Sequence, residues 1–250
     1  MRKIIIGVVC LVLSLSATEV YSTFNVEASQ SANLAFNSSG TIKNIYVDVS
    51  SRVKKGDILV ELKNDEYKAS LQIAKAELEN AEVSLKYAKK DYERQVKIKH
   101  MIDEEKFDRY ELGFERAKVA VSQAKANLAY KQALLDKTIL YAPFDGVIFE
   151  KSVAVGDVVS GMMLRTIFKI QSQDKRKLLV EFDQKYNQDV KVGQIFRYTI
   201  DGENKLHEGV ISKVYPLANS ANRKIKAEVK VNSFLVGLFG EGYIIVPDKK

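Results

Sequence analysis

Residues 40–62 read GTIKNIYVDVSSRVKKGDILVEL, and residues 142–164 read APFDGVIFEKSVAVGDVVSGMML. In the first stretch Ile45, Val47 and Val49 alternate with polar residues, which is the period of a half-buried β-strand. Lys55-Gly56-Asp57 then predicts a turn, because glycine adopts the positive φ that other residues resist. The second stretch has the same composition and order. Each stretch therefore predicts a strand–turn–strand unit.

The two stretches look like copies of one unit. With Gly146 laid on Gly40, four further pairs coincide: Ile148 on Ile42, Val153 on Val47, Val155 on Val49 and Val159 on Val53. In the same superposition the turn glycines Gly56 and Gly161 fall one residue out of alignment. Any two β-hairpins can share glycine and valine, but five coincident positions favour an internal repeat.

Between the two units lies a helical stretch with no proline and a single glycine. Its apolar residues step by three and four in two series: Leu71, Ala74, Leu78, Ala81, Leu85, Ala88, Tyr92, and Phe107, Tyr110, Phe114, Ala117, Val121, Ala124, Leu128. A spacing of 3.5 residues keeps one seam against a partner helix. Both series break at His100–Asp103. We predict an antiparallel hairpin of 65–99 with 104–137, its second helix capped by Asp103.

The first residues have the pattern of an export signal. Met1-Arg2-Lys3 is a positive start, and the apolar run Ile4–Leu15 is shorter than the roughly 20 residues of a membrane span. We expect residues 1–17 to be a signal peptide, either cleaved near Ala17 or kept as a weak anchor. Because the only cysteine, Cys10, lies in this run, the mature chain would have neither a disulfide nor a thiolate metal site.

Composition and charge narrow the function classes. The chain is 46% apolar and has a net charge of +7, but its lysines are interleaved with glutamates along the helical stretches. That pattern is typical of solvated helix faces and argues against nucleic-acid binding. The only histidines, His100 and His207, lie far apart without a carboxylate or nucleophile frame. We therefore predict no catalytic site, no cofactor and no metal site, and interpret the carboxylates beside His100 as helix-capping groups.

The two units and the insert resemble the periplasmic adaptors, or membrane fusion proteins, of tripartite efflux systems. The resemblance rests on Ser39–Leu59 and on Leu140–Val159, which contains the "APF-DG" strand entry of the family, and it covers about residues 35–250. It implies an α+β fold with these parts: a split lipoyl-like (biotinyl/lipoyl) β-sandwich at 35–64 and 138–171, a long antiparallel α-helical coiled-coil hairpin at 65–137, and a small β-barrel domain at 172–250.

The segments after residue 171 fit such a barrel, because they alternate between apolar and polar residues. They are listed here as predicted strands: 177–182, 195–200, 206–216, 225–231 and, after a turn, up to 246. A short helix is predicted near 183–190.

The resemblance implies a function as well as a fold. The protein would be a non-enzymatic periplasmic adaptor, associated with the inner membrane, that oligomerises as a hexamer. It would link an inner-membrane transporter to an outer-membrane channel for export of drugs, metals or other small molecules. A resistance-nodulation-division (RND) pump is favoured, and an ATP-binding-cassette exporter is the alternative.

Two other classes stay open. A lipoyl-carrier enzyme subunit needs a lysine on a tight hairpin between the two units. The helical insert occupies that junction, although Lys63 and Lys68 lie nearby. A structural coiled-coil protein of the envelope, without any transport role, is the other alternative.

In the family the hairpin tip docks onto the outer-membrane channel. Its usual signature is an arginine, a leucine four residues later and a serine seven further. Arg94 and Ile98 match the first two positions, the second conservatively, whereas Glu105 stands at the third. A second alignment puts Asp103 in the serine's place, with Arg94 two residues too near. The resemblance thus implies channel contacts at Arg94, Ile98, His100 and Asp103, with plain helix-surface roles as the alternative.

Overall fold

The computed structural model describes residues 17–163 and 165–247. They divide into two compact units: the residues up to Ser31 together with those from Gln171 onward, and Ala32–Ile170. Most of the predicted signal peptide, including Cys10, lies outside the described residues. No helix in the described ranges is long and apolar enough to cross a bilayer.

The elements follow one another as β1 (Ala17–Ala28), β2 (Ser31–Leu34), β3 (Gly40–Ile45), β4 (Arg52–Val53), β5 (Ile58–Leu62), α1 (Asp65–Lys97), α2 (Glu104–Asp136), β6 (Ile139–Tyr141), β7 (Gly146–Lys151), β8 (Val158–Val159), β9 (Phe168–Ser172), β10 (Arg176–Asp183), β11 (Ile195–Ile200), β12 (His207–Asn219), β13 (Lys224–Val231) and β14 (Phe239–Pro247). Single 3₁₀ turns lie at Lys99–Met101 and Gln184–Tyr186. The second of these stands where a short helix was predicted near 183–190.

The unit Ala32–Ile170 is built on two four-stranded sheets, with strand orders β2-β9-β7-β4 and β6-β5-β3-β8. Each sheet takes strands from before and after the helical insert, since β3 pairs with β8 and β4 with β7. Fully buried side chains from both halves, among them Ile42, Leu59 and Ile148, form one core. The two halves are therefore one folded body.

The internal repeat is present in the predicted register. Gly40 pairs with Val159, and Gly146 pairs with Val53, so the two halves exchange equivalent strands when residues 106 apart are superposed. The same register relates two hydrogen bonds between the halves: the Ile42 amide donates to the Asp157 carbonyl (2.8 Å), and the Ile148 amide donates to the Ser51 carbonyl (3.0 Å). Gly156 is therefore equivalent to Ser50, and both have a positive φ (92° and 69°).

The strand prediction in the first unit extended too far. β3 ends at Ile45, and Val49 is exposed in the connection that follows. Alternation of apolar and polar residues located a β region without fixing where its strands end.

Helices α1 and α2 pack against each other antiparallel. The Asn127 amide donates to Glu77 (2.9 Å), and the Lys125 ammonium lies 3.8 Å from the Glu82 carboxylate. Every residue of the two predicted seams is buried or half-buried, while most residues between them are exposed. The seam spacing located the helix faces correctly because it is a local property of the chain.

The other unit contains a closed six-stranded barrel with strand order β1-β10-β13-β12-β11-β14. Alternate side chains along the strands are buried in its interior, including Phe24, Phe182 and Phe196. The predicted barrel domain, 172–250, was incomplete. β1 closes it between β10 and β14, with Tyr21 opposite Tyr243. Val20, Phe24 and Val26 carry the alternation that could have revealed this strand.

Candidate functional site

The chain reverses between α1 and α2 in a compact turn at the hairpin tip. Ile98 ends α1, and its carbonyl accepts the Met101 amide at 2.8 Å. Asp103 begins α2 as predicted, because its carboxylate accepts the Glu105 amide at 3.3 Å. Glu104 and Glu105 in the first turn also favour a helix N-terminus, where the backbone dipoles are positive.

An aromatic cluster supports the tip from inside. Tyr92 stacks on Phe114 with a centroid distance of 5.2 Å and lies 5.7 Å from Phe107. The Lys99 ammonium stands 4.3 Å above the Phe107 ring, which is only 4% exposed. The seam pattern placed these rings on the inner faces of the helices. Their mutual stacking was not predicted, because it depends on the register between the helices.

The four residues predicted to contact a channel occupy two levels. Ile98, His100 and Asp103 belong to the turn, whereas Arg94 lies one helical turn earlier and pairs with Asp91 at 3.2 Å. Because the Asp103 carboxylate caps α2, it already has a structural role. No observation tests these contacts, so they stay predictions.

Met101 is the tip residue that sequence reasoning missed. It is 75% exposed in the middle of the turn. The sequence contained an indication of this residue, because a long apolar side chain stands among the polar residues that interrupt both seams. An exposed, unbranched thioether adapts its shape easily to a partner surface.

A polar network holds the base of the hairpin. Asn64, which precedes α1 and is 1% exposed, donates to the Glu61 carboxylate (2.9 Å) and to the Thr138 hydroxyl (3.1 Å). The Thr138 hydroxyl donates to the Leu135 carbonyl at the end of α2. Both ends of the insert are therefore tied to the β unit through the Asn64–Thr138 pair.

Glu61 in this network has a shifted pKa. Partial burial by itself raises it, but hydrogen bonds from Asn64, Tyr46 and Lys68 outweigh burial and hold the pKa of Glu61 below its usual value. Lys68 is thereby engaged in an ion pair of 3.3 Å. The splice point is a structural joint, since α1 begins at Asp65 without a projecting hairpin turn.

Each helix also carries a second row of residues, two positions after the seam residues and so about 200° around the helix. We call these rows the outer stripes. All their members are exposed: Ile73, Ala76, Asn80, Val83, Tyr87, Lys90, Arg94, Lys97 on α1, and Glu105, Arg109, Leu112, Arg116, Val119, Gln123, Ala126, Tyr130, Ala133 on α2. Towards the base the stripes are uncharged and mostly apolar. Towards the tip they are mostly basic.

The helix register sets the relative heights of the two outer stripes. The stack of Tyr92 on Phe114 places Tyr87 level with Val119. The contact between Glu77 and Asn127 places Ile73 level with residue 131, next to Tyr130. The exposed apolar side chains of the two stripes thus lie at matching distances from the hairpin base.

Within the described ranges, no group of three or more His, Cys, Asp or Glu side chains is close enough to hold a metal ion. His207 stacks on Tyr198 (5.4 Å) and lies 3.2 Å from the Glu203 carboxylate in the barrel unit. These contacts are those of a packed structural residue.

Comparison with known proteins identifies a family. Residues 30–171, more than half of the chain, match the model of the CzcB-like barrel-sandwich hybrid domain. No curated protein matches the sequence.

Solved structures share the fold. A MacA-MexA chimeric protein containing the Pseudomonas aeruginosa MexA α-hairpin domain is 24% identical, with a TM-score of 0.72 over 93% of this chain and 83% of that one. The membrane fusion protein Spr0693 from Streptococcus pneumoniae R6 is 17% identical, with a TM-score of 0.71 over 92% and 100%. MacA from Actinobacillus actinomycetemcomitans is 21% identical, with a TM-score of 0.70 over 92% and 79%.

Proposed function

The chain belongs to the CzcB-like barrel-sandwich hybrid family, and with it to the membrane fusion proteins or periplasmic adaptors, and on that basis we propose that it links an inner-membrane efflux pump to an outer-membrane channel. In this proposal the protein is periplasmic, associated with the inner membrane and non-enzymatic. Its coiled-coil hairpin spans towards the channel, and Arg94, Ile98, His100 and Asp103 at the tip contact it.

The outer stripes are the observation that best supports this proposal. An isolated hairpin needs only the two seams, yet Ile73, Tyr87, Val119 and Tyr130 expose large apolar surfaces on the opposite sides of the helices. Apolar rows of this kind on a soluble protein mark interaction sites. Their 3.5-residue spacing suits a further helix of the same geometry.

The exposed apolar residues of the two outer stripes lie at matching distances from the hairpin base, so another copy of the chain fits beside the hairpin. The outer stripe of α1 in one copy can meet that of α2 in the next with Tyr87 beside Val119 and without axial displacement. Such a contact joins two different surfaces, and it closes into a ring when there is no rise between copies. The proposed assembly is a ring, a hexamer by family resemblance, whose hairpins enclose a path for the exported compound.

Cysteine crosslinking tests the ring. In a Cys10→Ser background, Tyr87→Cys with Val119→Cys should give a ladder of disulfide-linked oligomers that ends at the closed ring. The matched control, Tyr87→Cys with Ala126→Cys, shifts one partner by seven residues, about 10 Å along the helix, and should give little ladder. Equal yields from both pairs, or no linked oligomer from either, would contradict the lateral packing.

A transport role is tested separately from the assembly. Deletion of the gene should raise sensitivity to drugs or metals, and the chain carrying Tyr87→Glu should not restore resistance, because the charge disrupts an apolar contact. A strain with unchanged sensitivity to every exported compound tested would favour the structural envelope protein instead.

The proposed pump is of the RND type, with an ATP-binding-cassette exporter as the alternative. Purification of the intact complex from membranes distinguishes them. ATP hydrolysis that co-purifies with the chain would indicate the exporter, and its absence from a complex that contains a proton-driven transporter would indicate the RND pump.

A further inference from the structure

The distal part of each outer stripe is mostly basic. On α1 it contains Lys90, Arg94 and Lys97, and on α2 it contains Arg109 and Arg116 on either side of the exposed Leu112. The apolar basal parts of the stripes contain no charged residue. We call the distal set, Lys90, Arg94, Lys97, Arg109, Leu112 and Arg116, the basic collar.

Most charges of the collar lack a carboxylate partner. Arg94 pairs with Asp91. Within the described part of the chain, no ion pair involves Lys90, Lys97, Arg109 or Arg116. The one carboxylate of the α2 stripe, Glu105, lies four residues before Arg109 at the tip end of the helix. Glu115 lies on an adjacent face and pairs with Lys118 at 2.9 Å.

A second copy of the chain does not offer opposite charges to the collar. At the register set by Tyr92 and Phe114, Lys90 lies level with Arg116 and Lys97 level with Arg109. Two copies packed side by side at equal height would therefore place like charges opposite each other. Such pairs are unfavourable, so the apolar contact between neighbouring hairpins should end above Tyr87 and Val119.

We propose that the basic collar is a docking surface for acidic helices of a partner protein, which enter the gaps between the distal ends of neighbouring hairpins. This inference rests on the proposed ring and adds a partner chemistry to it. Two flanking helices form a groove that fits a third helix, Leu112 offers it an apolar contact, and the basic side chains select for carboxylates. The surface lies below Ile98, His100 and Asp103 at the tip and shares only Arg94 with the proposed channel contacts.

Photocrosslinking in intact cells tests the proposal. A benzoylphenylalanine at position 112, in the centre of the collar on α2, should capture a different protein. Mass spectrometry should place the crosslinked residue in a helix that carries Asp or Glu at neighbouring turns. Charge reversal by Arg109→Glu with Arg116→Glu should lower the captured amount about tenfold, as expected for two lost and two newly repulsive ion pairs.

A matched variant controls for net charge. Lys75→Glu with Lys86→Glu makes the same change on exposed helix surface nearer the base and should leave the capture unchanged. In the Arg109→Glu, Arg116→Glu variant the new carboxylates face Lys97 and Lys90 of the next copy. The crosslink should therefore shift to another copy of this chain.

Each other outcome overturns the proposal. Capture of a second copy by the unmodified collar would show that neighbours fill it. Capture of lipid alone, of a helix without carboxylates, or of nothing would exclude an acidic protein partner, as would capture that survives charge reversal. The Tyr87–Val119 disulfide ladder, measured on the same variants, separates the two proposals: a normal ladder without distal capture leaves the ring standing and removes only the collar.

Discussion

At the scale of single residues, the two Gly-Asp turns determine how the β unit closes. Gly56 and Gly156 have positive φ, and the carboxylates of Asp57 and Asp157 accept amides three residues earlier at 2.8 and 3.0 Å. Each turn then bonds to a strand of the other half. The turns are therefore joints between the halves as well as chain reversals.

Replacing Gly56 by alanine should lower the free energy of unfolding by about 1 kcal/mol, because a Cβ disfavours the positive φ. No atom stands within 4 Å of the added Cβ, so the effect is purely conformational. Urea denaturation measures it. The control is Gly113→Ala in α2, which should raise stability by up to about 1 kcal/mol through helix propensity. A neutral Gly56→Ala would contradict the turn assignment.

Glu61 should make the stability of the hairpin base depend on pH. Its folded pKa is lowered from 4.5, so the folded state holds fewer protons than the unfolded chain in the acid range. The stabilisation is complete above about pH 4.5 and is lost as pH falls through the lower folded pKa.

Unfolding measured between pH 3 and pH 7 tests this dependence. Glu61→Gln should cost about 1 kcal/mol at neutral pH and nothing at the acid end, where Glu61 is protonated as well. Glu79→Gln, a change of an exposed carboxylate on α1 for which the described residues provide no ion pair, should differ from the wild type by the same amount at every pH. A constant gap between the wild-type and Glu61→Gln curves at all pH values would argue against the network.

At the scale of elements, the hairpin depends on a few side chains at its far end. Most of its seam is leucine and alanine, whose small contact areas hold the helices together only by repetition. Near the tip, the ring of Tyr92 contacts the larger side chains of Phe107 and Phe114, and the apolar contact is concentrated there.

Phe107→Ala should therefore loosen the tip without unfolding the protein. We expect a local loss of about 2–3 kcal/mol, below the 3–5 kcal/mol typical of a fully enclosed phenylalanine, because the open tip relaxes. Hydrogen exchange of amides between residues 92 and 114 should accelerate, while amides near Asn64 and Thr138 keep their rates. Leu112→Ala, at a half-exposed position, should change neither. Uniform acceleration along both helices would show that the hairpin melts as a whole.

At the scale of the molecule, the chain builds two separate cores. One lies inside the barrel around Phe24 and Phe182, and the other lies between the sheets around Ile42 and Ile148. The chain leaves the barrel after β1 and returns to it with β10. The β unit with its hairpin is thus an insertion into the barrel sequence.

Separate cores should respond separately to mutation. Phe24→Ala should destabilise the barrel by about 3–5 kcal/mol, and Ile148→Ala should destabilise the β unit by about 2–5 kcal/mol. Hydrogen exchange resolved by peptide should assign each loss to its own unit. If Phe24→Ala accelerated exchange equally around Ile148, the two units would be one cooperative body.

The sequence by itself determined the features that depend on local spacing: the seams from Leu71 and Phe107 onward, the cap at Asp103, and the presence of β units on both sides of the insert. Spacing determines which face of a helix is apolar, whatever the rest of the chain does. The outer stripes could be identified from the same spacing. Whether their residues lie at matching distances from the hairpin base depends on the register between the two helices.

Only the tertiary structure decided which residues meet across long separations. It paired Gly40 with Val159, set Lys97 level with Arg109, and brought β1 to β14 to close the barrel. A strand of alternating residues pairs equally well in several registers and with several partners. The choice between them depends on the burial of the complete core, to which the whole chain contributes.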